Sequence, residues 1–351
     1  MSDKQKKICV LGHFGIGENL LNGQTIKTKI MTNELCRIFG ENRIIKLDTH
    51  GGRKTVFKAP FQVITALKNS KNTIIFPAHN GVIVYVPLLA MLRHIFKGCK
   101  LHYAVIGGWL PEFLQSKKHL AEMLKSFEGI YVETNTMKQA LEKQGFSNIY
   151  ILPNCKKFSI LNKNDLVYPK KPPYKLCTFS RVTKEKGIET AVNIVKNVNR
   201  NLGYTAYTLD IYGQVDKNQK RWFKKLKSTF PDYIKYGGFV PYDKSEQVLK
   251  NYFALLFPTQ FYTEGIPGTI IDAYAAGLPV ISAKWANYDD VIDEGKTGLG
   301  YTFNDEKQFY NLLLDIANNP QSFLDMKYNC LKKAAEYISS NAIKALSDRI
   351  K

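Results

Sequence analysis

Short apolar runs alternate with segments of helical length along almost the whole chain, and no other feature limits its possible folds as much. In the first half the runs are KICVLGHF (7–14), RIIKLD (43–48), NTIIFPAH (72–79), KLHYAVIGG (100–108), GIYVET (129–134) and NIYILPN (148–154). A second series holds KLCTFS (175–180), YTLDIYG (207–213), YIKYGGF (233–239), FALLFPT (253–259) and GLPVIS (277–282). Stretches such as QTIKTKIMTNELCRIFG and SKKHLAEMLKSFEG have helical length, as do segments near 188–200 and 217–229. Strand and helix in alternation predict α/β domains with helices packed on mostly parallel sheets.

The alternation breaks at KKFSILNKNDLVYPKKPPYK, where charges and three prolines replace periodic apolar residues. The chain is 351 residues long and 44% hydrophobic, more than one typical domain holds. The expected organisation is therefore two Rossmann-like domains in tandem, over 1–155 and 175–330. A linker over 156–174 joins them, and a C-terminal helix over 331–351 packs back on the first. Open α/β sheets bind ligands at the carboxyl ends of their strands, so two such domains facing each other would hold a site in the cleft between them.

Composition narrows the partners. Lys and Arg number 50 against 30 Asp and Glu, a formal charge of +20 that attracts nucleotide phosphates, nucleic acid or an anionic bilayer. The six cysteines, at 9, 36, 99, 155, 177 and 330, form no CxxC pair and follow no secretory signal, a pattern of reduced thiols in a cytoplasmic protein. Cys9 and Cys177 lie inside apolar runs and read as small hydrophobes in strands. No apolar run is long enough to span a bilayer. The nearest, GVIVYVPLLAMLRHIFKG (81–98), reads either as a buried helix whose end is capped by Arg93, His94 and Lys97 or as an interfacial segment.

Two stretches carry chemistry. In FSRVTKEKG (179–187) a strand is expected to end at Ser180 and a helix to follow Gly187, so Arg181 and Lys186 leave from the strand's carboxyl edge. A planar guanidinium and a compact ammonium suit a diphosphate, although an ordinary basic loop has the same composition. In TEGIPGTIIDAYAAGLPVIS (263–282) Pro267 suits a first helical position, where its missing N–H is no loss. The N–H groups near Gly268 and Thr269 then point at an anion or a sugar hydroxyl. Glu264 stays in the loop and Asp272 sits over a turn further on, so the two carboxylates face different parts of one extended ligand and suit vicinal hydroxyls. The plainer alternative makes Glu264 a partner of the helix dipole and Asp272 a solvated helix residue.

The pair E-x7-D in this stretch, followed by AAGLPVI, resembles the E-x7-E motif of family 4 of the retaining glycosyltransferases, which have the GT-B fold. SRVTKEKG resembles that family's phosphate-binding loop, and DEGKTGLGY (293–301) its downstream glycine turn. The likeness covers most of 175–301 in order and spacing, whereas before 155 it rests on the β/α pattern.

The resemblance implies that Arg181 and Lys186 neutralise a donor diphosphate, that Glu264 contacts hydroxyls of the transferred sugar, and that Asp272 holds the ribose. Arg181, Lys186 and Glu264 would carry catalysis. Gly265, Ile266, Pro267 and Gly268 would form a backbone wall against sugar and phosphates, with Phe239 and Val240 against the base. One departure from the family pattern is the second acid, Asp in place of Glu and one methylene shorter. The N-terminal domain would bind the acceptor, with Gly15 and Gly17 in a glycine-rich loop and the segment Asn22-Gly23-Gln24-Thr25 as contacts. Many relatives carry a histidine at the end of the strand matching KLHYAVIGG. Here Gly107 and Gly108 stand there, His102 lies within the strand, and His79 is an alternative polar group with a structural, acceptor-binding or catalytic role.

The implied function is transfer of a hexose or N-acetylhexosamine from a nucleotide diphosphate sugar, UDP-sugar by family frequency, to a hydroxyl of a glycan or lipid-linked glycan in bacterial surface polysaccharide synthesis. No cofactor and no metal is expected, since no Asp-x-Asp or His/Cys cluster stands out. Two rivals are a nucleotide-sugar epimerase of the same fold and, in another class, a basic nucleic-acid-binding protein. Lys97, Lys100, Lys117 and Lys118 are candidates for peripheral docking on the anionic inner face of the cell membrane.

Overall fold

The computed structural model describes residues 7–18, 23–51, 53–96, 98–241 and 244–351. The chain forms two compact units, Met1–Lys157 with Tyr337–Lys351, and Phe158–Glu336. Each is built on one six-stranded, all-parallel sheet.

In the first unit the strands are β1 (Ile8–Gly12), β2 (Ile44–Asp48), β3 (Asn72–Ile75), β4 (Lys100–Ala104), β5 (Gly129–Val132) and β6 (Ile149–Ile151), in the order β2-β1-β3-β4-β5-β6. Crossovers through helices of at least two turns, such as Gly23–Phe39 and Arg53–Asn69, permit this parallel pairing. β1, β3 and β5 are buried throughout, which is why they read as unbroken apolar runs. One side of the sheet packs against the Arg53–Asn69 and His79–Leu92 helices through Ala59, Val63, Val82, Tyr85 and Leu89. A second cluster joins Ile8, Val10, Met31 and Leu35 to Ile343, Leu346 and Ile350. Asn72 ties that C-terminal segment down by donating to the Ile350 carbonyl at 3.1 Å.

In the second unit the strands are β7 (Tyr174–Phe179), β8 (Tyr207–Tyr212), β9 (Ile234–Gly238), β10 (Ala254–Phe257), β11 (Val280–Lys284) and β12 (Gly298–Thr302), ordered β12-β11-β10-β7-β8-β9. Counted from β7 this is 3-2-1-4-5-6, the doubly wound order of dinucleotide-binding folds. The order reverses between β7 and β10; in the first unit it reverses between β1 and β3.

Three sequence expectations need correction. Residues 156–174 do not form a free linker: from Phe158 the chain belongs to the second unit, with buried Leu161 donating its N–H to Ala275 at 2.8 Å. The C-terminal boundary falls between Glu336 and Tyr337, not at 331, and the end of the chain is several short helices, including Ser339–Ala342 and Lys344–Ile350. Of DEGKTGLGY, read as a glycine turn, only the first part is one: the turn closes on the Asp293 carbonyl with Gly295 at φ 73°, and Gly298–Thr302 runs on as the edge strand β12 paired with β11. In the 81–98 segment the helix runs to Leu92 with one face buried, through Val82, Tyr85, Val86 and Leu89, and another exposed at Ile83 and Met91, so it matches neither alternative alone; the Arg93 side chain donates to the Ser126 carbonyl, and Lys97 lies outside the described residues.

Lys27 and Glu133 form an ion pair at 2.6 Å, each side chain only 2% exposed. Lys27 Nζ also donates to the Val105 carbonyl at 3.1 Å, and Glu133 accepts the Gly107 N–H at 3.0 Å. These bonds lock the start of the Gly23–Phe39 helix to the carboxyl ends of β4 and β5. Breaking one side of a buried pair strands a charge, so Lys27→Met should cost about 3–5 kcal/mol in chemical denaturation. Lys27→Met with Glu133→Gln should recover part of that loss, because the amide oxygen still accepts from Gly107 while the charge is gone.

Candidate active site

The loops that leave β7 and β10 meet where the strand order of the second unit reverses. After Phe179 the chain passes through a 3-10 turn, Lys184–Lys186, and Gly187 takes a left-handed conformation (φ 68°) before the Ile188–Leu202 helix. Only glycine fits here: a Cβ at Gly187 would stand 1.8 Å from the Pro258 carbonyl oxygen of the β10 loop. The two loops are also joined by the Gln260 N–H, which donates to the Glu185 carbonyl at 2.8 Å.

This closure brings Lys186 and Glu264 into direct contact. The Lys186 ammonium donates to Glu264 Oε1, with the side chains 15% and 17% exposed. It also lies 5.1 Å from the Phe261 ring centre and 5.6 Å from that of Phe257. The Thr259 hydroxyl donates to the same carboxylate oxygen at 3.2 Å, and Asn287 holds the Glu264 carbonyl at 2.6 Å. Arg181, on the same loop as Lys186, is exposed, and its guanidinium bonds to no side chain among the described residues. One cation is thus held against a carboxylate and the other is free to meet an anion.

Beyond Glu264, Gly265, Ile266 and Pro267 are buried, and Pro267 is the N-cap (φ −69°, ψ 127°), so the helix runs Gly268–Ala275 and starts one residue later than expected. Pro267, having no N–H, contributes only shape to this wall. The Thr269 hydroxyl in the first turn is buried without a hydrogen-bond partner among the described residues, at the positive end of a helix dipole. Asp272 lies one turn on and is only 6% exposed, unlike the solvated helix residue of the plainer alternative. Phe239 and Val240 follow β9 at its carboxyl end, Phe239 exposed. A cavity of about 330 Å³ opens beside Thr259, lined also by Thr190, Gln260, Tyr301, Asn304 and Glu306.

In the first unit the loop after β1 holds Gly15 (φ 58°) and Gly17 (φ 86°) in the left-handed region. Asp48, the last residue of β2, accepts N–H bonds from Phe14, Gly15, Ile16 and His50 at 2.9, 3.3, 2.8 and 2.9 Å. Burial would raise its pKa, but these donors outweigh it and hold the carboxyl below the usual range. His13 Nδ1 lies 2.7 Å from the Thr25 hydroxyl and His13 Nε2 lies 2.9 Å from His50 Nδ1, while His50 Nε2 is 3.0 Å from Glu18. Burial and the neighbouring His50 lower the pKa of His13. Sequence reasoning missed this cluster and Asp48; an acid closing an apolar strand beside a glycine loop was the available signal.

Of the first-unit candidates, Gly23 opens its helix at an exposed position, and Gln24 donates its amide to the Phe76 carbonyl at 3.2 Å. Asn22 lies outside the described residues. His79 starts the His79–Leu92 helix and stacks on Trp109, ring centres 3.7 Å apart. Desolvation lowers its pKa, favouring neutral imidazole.

Two outcomes check these contacts. Glu264→Ala should lower stability by about 1–3 kcal/mol in denaturant titrations, since it leaves a largely buried ammonium without its carboxylate, whereas Arg181→Ala should leave it unchanged. Asp48 has a depressed folded pKa, so its contribution is full above the unfolded value of about 4 and is lost as pH falls through the folded one; the stability gap between wild type and Asp48→Asn should narrow below about pH 4.

Comparison with known proteins places this architecture. Residues 162–336 match the family described as glycosyl transferases group 1. The amylovoran biosynthesis glycosyltransferase AmsK of Erwinia amylovora is 25% identical over 130 residues, 36% of this chain and 31% of that protein. The putative colanic acid biosynthesis glycosyltransferase WcaL of Salmonella typhimurium is 23% identical over 130 residues, 36% and 32% of the two chains. The aligned region thus spans about a third of the length of these curated relatives. Among solved structures, HepE of Anabaena in complex with UDP superposes with a TM-score of 0.75 at 14% identity, covering 97% of this chain and 98% of that one. TarM of S. aureus gives 0.66 at 17% identity, covering 85% and 59%. Both units therefore share the GT-B fold of these structures, and through residues 162–336 the chain belongs to the glycosyl transferases group 1 family.

Proposed function

We propose that the protein is a retaining, metal-independent glycosyltransferase that moves a hexose or N-acetylhexosamine from a UDP-sugar to a hydroxyl of a glycan or lipid-linked glycan acceptor. It works in the cytoplasm in surface polysaccharide synthesis. The observation that carries this reading is the Lys186–Glu264 pair, with Arg181 exposed on the same loop as Lys186, set at the strand-order reversal inside the family-matched region. UDP is the favoured nucleotide because the fold neighbour HepE was solved with it.

On this reading Arg181 meets the donor diphosphate first, and Lys186 turns from Glu264 to the phosphate nearer the sugar. Glu264 is then released to accept hydrogen bonds from sugar hydroxyls, each worth about 1.5–3 kcal/mol to a charged acceptor. The bond from the anomeric carbon to the phosphate oxygen breaks, with its electron pair leaving on the diphosphate. The acceptor oxygen bonds the same face of that carbon, and its proton passes to the departing diphosphate. The two cations stabilise the charge that grows on the leaving group, so no metal is assigned to that task. Asp272 holds the ribose, Phe239 and Val240 flank the base, and the loop after β1 with Gln24 and His79 receives the acceptor.

Transfer assays with a UDP-sugar panel test this. Arg181→Ala and Lys186→Ala should each lower kcat/KM by about 100-fold or more, with excess chelator leaving the wild-type rate unchanged. Asp272→Ala should weaken UDP binding roughly tenfold, the loss of about one charged hydrogen bond. Unaltered rates in both cation variants, or an epimerised sugar formed from donor alone, would overturn the assignment.

A further inference from the structure

The charge of the chain is unevenly distributed. Residues 49–111 contain no Asp or Glu, while Arg53, Lys54, Lys58, Lys68, Lys71, Arg93, Lys97 and Lys100 fall inside them. This stretch supplies the Arg53–Asn69 and His79–Leu92 helices, which pack side by side on the first sheet, with Tyr85 donating to Gln62 between them at 2.7 Å.

The outward face of the first of these helices is apolar. Phe57 is 82% exposed and Phe61 74%, with Ile64 continuing the same stripe at helical spacing. The adjoining helix and the turn after it add exposed Ile83, Met91 and Ile95. Lys58 and Lys68 lie exposed on the first helix. Neither Phe ring meets another ring or a cation among the described residues, and burying Ala59 and Val63 beneath them does not require rings outside. Large exposed apolar side chains grouped on one face mark an interaction surface.

We infer that this face docks the first unit on an anionic bilayer surface, with Phe57, Phe61 and Ile64 entering the acyl boundary and Lys58 and Lys68 meeting headgroup charge. The combination of an aromatic and aliphatic stripe, flanking lysines and no acid within residues 49–111 is complementary to anionic lipid. A second copy of this chain fits worse, because the face would meet its own excess of positive charge. Nucleic acid fits worse too, because Ile64, Ile83 and Met91 offer nothing to phosphates or base edges.

Lys100, an earlier candidate for such docking, lies 3.6 Å from Glu128, and Lys117 lies 5.0 Å from the Phe113 ring centre, so both have local partners; Lys118 is exposed.

The test is flotation of the full chain with phosphatidylglycerol–phosphatidylcholine vesicles, against pure phosphatidylcholine, at low and high salt. The protein should float with the mixed vesicles, less so at high salt. Phe57→Ser with Phe61→Ser should lower the partition coefficient about tenfold, and Lys58→Glu with Lys68→Glu should remove its salt dependence. All four side chains are exposed, so melting curves should match wild type; if the Phe pair shifts them, the Lys pair still decides. Equal binding to both vesicle types, partition unchanged in both pairs, a dimer dissolved by the Phe substitutions without vesicle binding, or binding to single-stranded DNA in place of vesicles would each overturn the proposal. No donor or acceptor enters this assay, so its failure and a failure of the transferase reading are separate results.

Discussion

The contact between Lys186 and Glu264 depends on the way the second sheet is wound. The chain builds β7, β8 and β9 in one direction and then returns past β7 to lay down β10. Crossovers leaving β7 and β10 therefore diverge, and the loops between them are left uncovered. What brings the loops back together is local: a glycine without a Cβ against the Pro258 carbonyl, and the backbone bond from Gln260 to Glu185. Two opposite charges 78 residues apart can then meet, each reducing the cost of partly burying the other. A larger residue at 187 would push the loops apart and separate the pair without touching either side chain.

The first unit meets the same constraint with different chemistry. Its order reverses between β1 and β3, and the loop after β1 carries a run of N–H groups that no neighbouring strand can satisfy. Asp48 supplies the acceptors, both oxygens used, and the left-handed Gly15 and Gly17 let the backbone curl around it. A carboxylate that accepts several backbone N–H bonds favours its charged form strongly, so the loop and the ionisation of Asp48 stabilise each other. In both units a charged side chain gives shape to a loop at the point where the sheet's winding leaves it without support.

Much of this was legible in the sequence, for definite reasons. Parallel strands covered on both faces must be apolar throughout, so ICVLG, NTII and ALLF stood out, as did the helical stretches between them. GLGYT did not, because an edge strand buried at only two of its five positions keeps little apolar signal. Arg181, Lys186 and Glu264 could be placed at the carboxyl ends of strands because they follow β7 or β10 by two to seven residues, and Asp272 could be placed in the helix that comes next. The pairing of Lys186 with Glu264, and of His13 with His50 across 37 positions, depends on strand order, which local patterns do not encode. The same holds for the C-terminal residues: Ile343, Leu346 and Ile350 announce an apolar face but not the sheet that receives it.

The glycines after β4 show how a departure from a family pattern can be read as geometry. Gly107 has φ 83°, a conformation that costs an L-residue roughly 1–2 kcal/mol, so a histidine at that position would be strained. The turn it makes sends its N–H to Glu133 and lets Trp109 fold over, its indole N–H donating to the Ile106 carbonyl at 2.8 Å. The Trp109 ring then covers His79, which approaches from the end of β3 with Phe113 at its edge, centres 5.3 Å apart. An imidazole therefore stands near this end of the sheet, at the start of the helix that follows the neighbouring strand β3. Stacked, partly desolvated and at a helix start where positive charge is disfavoured, it favours its neutral form, with one donor and one acceptor nitrogen. Such a group is suited to orienting a hydroxyl and poorly suited to taking its proton.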